Sequence, residues 1–130
     1  MNTTVWTEII EALSSKNVEV CVEAAERLHK EAGTEDIPNL LALLRTDDFF
    51  VREAAAWPLA ELAGATLLPE LLAAYQRGFD DGHDNDGFTA ALLEIPYLHP
   101  DRLPHSIASI IAAGTEPALG HAKWLREFCK

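Results

Sequence analysis

The sequence predicts an all-α fold, a solenoid of about four stacked helix pairs occupying one domain over residues 1–130. Three observations lead there. Strand signals are nearly absent: Val18, Val20 and Val22 alternate, but they run straight into EAAERLHKEAG, whose spacing and composition are helical. The segment VCVEAAERLHKEAG from Val20 reappears as VREAAAWPLAELAG from Val51, a shift of 31 that pairs Val20 with Val51, Ala24 with Ala55, Ala25 with Ala56, Leu28 with Leu59 and Gly33 with Gly64. The segments that follow match at the same shift, IPNLLALL with LLPELLAAY, so that Pro38 falls on Pro69 and Leu41 on Leu72. A fixed period in the lower thirties is the signature of a helical repeat array.

Taken in chain order, TVWTEIIEALSSK supplies the first helix of the first pair, and the Val20 segment supplies the second. IPNLLALL and VREAAAWPLAELAG make the second pair. LLPELLAAY opens the third, which DGFTAALLEI completes at a shift of 33, with Leu92 over Leu59 and Ile95 over Leu62. RLPHSIASIIAAG and GHAKWLREF form the fourth, placing Pro104 over Pro69, Leu125 over Leu59 and Phe128 over Leu62. The repeats are therefore 3–33, 34–64, 65–97 and 98–130.

Each recurring residue has a physical task. Proline in the first turn of a helix lacks an amide that would have no partner there, and its fixed φ suits the helix. The paired alanines permit close helix approach, and leucine at 28, 59, 92 and 125 fills the core. Gly33 and Gly64 are expected to end their helices in the left-handed conformation. Pro58 removes a donor in mid-helix and is expected to kink that helix near Ala54.

The stretch IPNLLALLRTDDFFVREAAAWPLAELAGATLLPELLAAY resembles a HEAT repeat, in particular the short HEAT-like type named after phycobilisome lyases. Ile37-Pro38, Leu41, Leu44, Asp47-Asp48, Val51-Arg52, Ala55-Ala56, Leu59 and Leu68-Pro69 carry the resemblance, which is specific over about one and a half repeats. It implies a right-handed α-solenoid of HEAT-like helix pairs. Phe49 and Phe50 depart from it, standing in a turn that usually holds proline and an acidic residue, as does Pro58 within a second helix.

The formal net charge of −11, from 21 Asp and Glu against 10 Lys and Arg, disfavours a nucleic-acid binder because phosphate backbones are repelled. The same charge attracts a basic partner and accelerates the encounter. No apolar run reaches membrane-span length, and MNTTVWTEII lacks the features of a secretory signal. Cys21 and Cys129 lie near opposite ends; a disulfide framework is not expected, Cys21 reads as a largely buried free thiol in an amphipathic helix, and a reducing cytoplasm fits.

One segment resists the repeat, YQRGFDDGHDNDGFTAALLEI from Tyr75 to Ile95, with four aspartates, a histidine and an asparagine among glycines. As a calcium loop it fails. Gly87 at the sixth position puts Asp84 and Asp86 at the third and fifth, but Gly82 at the first and Leu93 at the twelfth, where acids are required. As a zinc site it offers only His83 as a nitrogen ligand. No Ser/His/Asp order, phosphate-cradling glycine loop or CxxC is present, so the reading is non-catalytic, with no cofactor or metal. One of Asp84, Asn85 and Asp86 is expected to cap the helix that follows.

The rest of the charge is explained by register. Turns within stacked pairs line up along one edge, and Asp47 overlies Asp80 at a shift of 33. Asp47, Asp48, Asp80, Asp81, Asp84 and Asp86 are thus expected to form an acidic ridge, extended by Glu116, with His83 and Asn85 in the same loop. Phe49, Phe50 and Phe79 are placed in these turns as aromatic anchors, Phe50 being the one best suited to tuck inward. Trp57 and Trp124 read as packing residues, and His105 and His121 as helix-surface residues without a partner set.

Small, acidic HEAT-like chains of this kind resemble immunity proteins of bacterial toxin systems. That resemblance implies neutralisation of a basic, nuclease-type toxin, with aspartates taking the place of phosphates. A HEAT-like scaffold, adaptor or regulatory subunit is the alternative, followed by a metal-dependent sensor or enzyme using the loop.

Overall fold

A computed structural model describes residues 1–129 and contains, among them, eight α-helices, one 3₁₀ turn and no strand. The helices are α1 (Thr3–Leu13), α2 (Val18–Glu31), α3 (Ile37–Leu44), α4 (Phe49–Ala63), α5 (Leu68–Asp80), α6 (Asp86–Leu98), α7 (Leu103–Ala113) and α8 (Ala118–Arg126). None is long and apolar enough to cross a membrane among the described residues. The alternating valines lie in the first turns of α2, so the helical reading of that stretch holds.

Two units divide the chain, Met1–Leu62 and Ala63–Lys130. In the first, α1 packs on α2, and the 3₁₀ turn Thr34–Asp36 leads into α3. Asn2 and Asn17 cap α1 and α2, their side-chain oxygens accepting the amides of Val5 and of Glu19 and Val20. Ile9, Leu13, Leu28, Leu40, Leu44, Ala55 and Leu59 are buried, each large side chain contributing about 1.5–3 kcal/mol. Helix α4 is nearly apolar all round and correspondingly buried, whereas α2 is strongly one-sided.

In the second unit α8 packs on α5, α6 and α7, and α5 meets α7. Leu68, Leu71, Leu72, Phe88, Leu92, Ile95, Leu103, Ile107 and Leu125 are buried there. The four leucines singled out by the repeat, at 28, 59, 92 and 125, are all fully inaccessible. Pro38, Pro69 and Pro104 all sit in the first turn of their helices, as the pattern requires.

Several expectations are corrected. Gly33 has φ −124° and follows an α2 that ends in an extended Ala32, and Gly64 is not left-handed either. The left-handed glycines are Gly82 and Gly114, which terminate α5 and α7. Pro58 lies inside α4, which runs through it to Ala63 as one helix, a continuity compatible with the expected kink. Phe49 and Phe50 are the first residues of α4, and Phe79 belongs to the last turn of α5; none stands in a turn. Cys21 is a free thiol, as expected, with intermediate burial, and its Sγ donates to Ser15 O at 2.9 Å.

Candidate functional site

The aspartate-rich connection begins where α5 stops. Gly82 has φ +86°, its amide donates to Phe79 O at 3.0 Å, and the His83 amide donates to Gly78 O at 2.9 Å. These two bonds are the Schellman closure of a helix, and they consume carbonyls that the end of α5 would otherwise leave open. A left-handed φ is strained for any residue with a Cβ, which is why glycine occupies this position.

The chain then turns inward at Asn85. This residue is fully buried and has φ +61°, the left-handed region that asparagine tolerates better than most. Its Nδ2 donates to Tyr75 O at 2.7 Å, ten residues back on α5. Its Oδ1 makes no conventional hydrogen bond and occupies the space beside Gly78, 2.1 Å from where a Cβ there would stand. The Gly78 Cα–H on that side is a weak donor. Gly78 and Asn85 therefore form a lock and plug: one lacks a side chain so that the other can enter. From Asn85 the chain enters α6, the Thr89 amide donating to Asn85 O at 2.8 Å and the Tyr75 hydroxyl meeting Thr89 Oγ1 at 2.7 Å.

Pinning the turn at both ends leaves its carboxylates outside. Asp80, Asp81, Asp84 and Asp86 are exposed, as are His83 and, at 42%, Phe79. Asp84 Oδ1 accepts the Asp86 amide at 3.1 Å, so the expected capping of α6 falls to Asp84, while the residue in the cap position, Asn85, makes no side-chain cap bond. Asp80 accepts from Gln76 Nε2 at 2.8 Å, and Arg77 lies 3.9 Å from Asp81. No group of three or more His, Cys, Asp or Glu among the described residues is arranged to hold a metal ion.

His121 departs from the expectation of a bare surface residue. It is half-buried, with its ring 5.1 Å from Tyr75 and stacked at 6.2 Å on Phe79. Its Nε2 lies 2.7 Å from Gln76 Oε1, and because the Gln76 amide nitrogen is turned to Asp80, that nitrogen of the ring must carry the proton. Burial pushes the His121 pKa below its usual 6.5, a fall that Glu116 partly opposes. Trp124 stacks on Tyr75 at 5.9 Å, in keeping with a packing role. The signal for this aromatic group was the spacing Tyr75, Phe79 and His121, Trp124 on two helices, four and three residues apart.

Asp47, Asp48, Phe49 and Phe50 lie in the first unit, where a different device holds the turn between α3 and α4. Arg52 is almost completely buried, and its Nη1 donates to Thr46 O at 3.0 Å and Asp47 O at 2.9 Å. The guanidinium also lies 5.8 Å from the Phe49 ring centre. Asp48 Oδ1 accepts the Val51 amide at 3.2 Å, which starts α4. Phe49 and Phe50 are both half-buried, so Phe50 is not set apart from its neighbour. Glu116, in the second unit, lies just before α8 and accepts the Gly120 amide at 2.7 Å, a contact at the start of that helix.

The sequence candidates thus gather at two inter-helix connections and the helix ends beside them, each connection organised by one buried polar residue, Arg52 or Asn85. No protein-family model, curated protein or solved structure matches the chain.

Proposed function

We propose that this protein is a non-catalytic protein-binding module of HEAT-like, right-handed solenoid architecture, acting as an immunity protein that neutralises a basic, nuclease-type toxin domain. The observation that carries this reading is the Asn85-locked turn between α5 and α6. It presents Asp80, Asp81, Asp84 and Asp86 to solvent beside a half-exposed Phe79, on a backbone fixed by Gly82 and by the Asn85–Tyr75 bond. A pre-organised acidic surface loses little entropy on binding, and it steers a cationic partner toward an aromatic contact at its edge. Asp47 and Asp48 add carboxylates in the first unit.

Affinity capture from the native cell, followed by stopped-flow kinetics with the captured protein, tests the proposal. The captured partner is a basic nuclease domain whose activity falls on addition of the protein. Replacing Asp81, Asp84 and Asp86 with Asn lowers the association rate about tenfold and flattens its salt dependence. Unchanged association kinetics remove the turn from the mechanism. A partner bound without inhibition supports the adaptor reading instead.

A further inference from the structure

The first unit carries a second surface, separate from the acidic turn. Val22, Ala25 and His29 of α2 face Phe50, Ala54 and Trp57 of α4 across an open groove of about 410 Å³. On α2 these positions are spaced i, i+3, i+7 and on α4 i, i+4, i+7, so each wall runs two helical turns, about 10 Å at 1.5 Å per residue. Val18 and Val22, one turn apart on α2, are 74% and 43% exposed, whereas Ala24 and Leu28 of the same helix are buried. Trp57 and His29 close one end, with rings 5.7 Å apart and His29 Nε2 2.6 Å from Glu61.

Charge selects the occupant. Glu26 lines the groove, and Glu19 and Glu23 stand on the same helix, all three exposed. Arg27 of α2 is engaged by Glu8 and Glu31, and no described residue forms an ion pair with Glu19, Glu23 or Glu26. The unit as a whole holds twelve Asp and Glu against five Lys and Arg. An apolar floor between two-turn walls, edged by uncompensated carboxylates, is complementary to an amphipathic helix with bulky apolar residues at i, i+4 and i+7 and lysine or arginine along its flanks.

We propose that the α2–α4 groove is a docking site for a cationic amphipathic helix, with apolar side chains seated between Val22 and Trp57 and basic side chains paired with Glu19, Glu23 and Glu26. The site lies in the first unit and does not depend on the function proposed for the α5–α6 turn.

The probe is a synthetic 16-residue helix with leucine at i, i+4, i+7 and i+11 and lysine at the flanking positions. Binding to the full chain is followed by amide and indole chemical shifts. Low-micromolar binding is expected, with the largest shifts at Val22, Ala54 and the Trp57 indole. V22Q, a change at an exposed position that preserves helix propensity, weakens binding about tenfold or more. The E19Q/E23Q/E26Q variant weakens it and flattens its salt dependence, whereas D84N/D86N leaves it unchanged. Three results each overturn the proposal. One is binding of a scrambled peptide of equal composition, or of the glutamate-for-lysine version, within threefold of the probe. Another is a shift map centred on Asp80–Asp86 or insensitivity to V22Q. The last is a concentration-dependent dimer of the chain that V22Q dissociates, which would make a second copy the occupant.

Discussion

Gly78 and Asn85 are coupled by the exclusion of one Cβ, and this makes their energetics testable as a pair. Asn85→Ala removes a buried bond to Tyr75 O and places an ordinary residue at φ +61°, costing about 2–4 kcal/mol together. Gly78→Ala gains helix propensity of about 1 kcal/mol but expels the Asn85 amide, for a net loss of about 1–3 kcal/mol. In an Asn85→Gly background nothing remains to expel, so Gly78→Ala becomes neutral or stabilising. Urea denaturation of the four proteins should show that reversal of sign, and additive losses would refute the lock. His121 supplies a pH dependence. Its pKa is depressed in the folded state, so below 6.5 the unfolded chain binds more protons. The stability due to the neutral ring is present above that value and is lost as pH falls through it toward the depressed folded value. His121→Phe retains the stack with Phe79 and Tyr75, and its denaturation midpoint should fall less between pH 7 and 5 than that of the unaltered protein.

At the scale of elements, the helices were legible because their signals are local or periodic. Pro38, Pro69 and Pro104 mark first turns, and Leu28, Leu59, Leu92 and Leu125 recur wherever a second helix must be buried. The ends were less legible. Gly33 and Gly64 occupy matching repeat positions, yet Ala32 leaves α2 in extended conformation, and the carboxylate of Asp36, itself buried, takes the Gly33 amide at 2.8 Å. A glycine permits the left-handed turn without requiring it, and a local contact decided otherwise. The acidic turn divided in the same way. Its charge and exposure follow from composition, and Asp84 as the residue that accepts an α6 amide follows from short-range chemistry. Asn85 as a buried plug does not, because its partner lies ten residues away and its room depends on Gly78. Arg52 was visible only as a residue shared with a repeat pattern; its donation to Thr46 O and Asp47 O requires the folded turn.

For the molecule as a whole, the decisive quantity is the excess of 21 carboxylates over 10 Lys and Arg. The excess is present in both units, twelve against five in Met1–Leu62 and nine against five in Ala63–Lys130. Some of these charges are paired internally and others are not. Arg27 serves both Glu8 and Glu31, while Glu19, Glu23 and Glu26 pair with no described residue. Like charges held on a folded surface repel more than they do along an expanded chain, so this distribution works against the native state. A partner that covers it with lysine and arginine relieves that repulsion and is stabilised in turn. Salt imitates the partner imperfectly, by screening: the Debye length falls from about 30 Å at 0.01 M to about 10 Å at 0.1 M and about 3 Å at 1 M. The thermal midpoint should therefore rise by a few degrees between about 0.01 M and 0.5 M sodium chloride, while the affinity for any cationic partner falls over the same range. Scanning calorimetry beside a binding titration measures both. A midpoint that drops with salt would mean that favourable ion pairs outweigh the repulsion, and the account of the acidic surface as a binding asset held at a cost in stability would have to be abandoned.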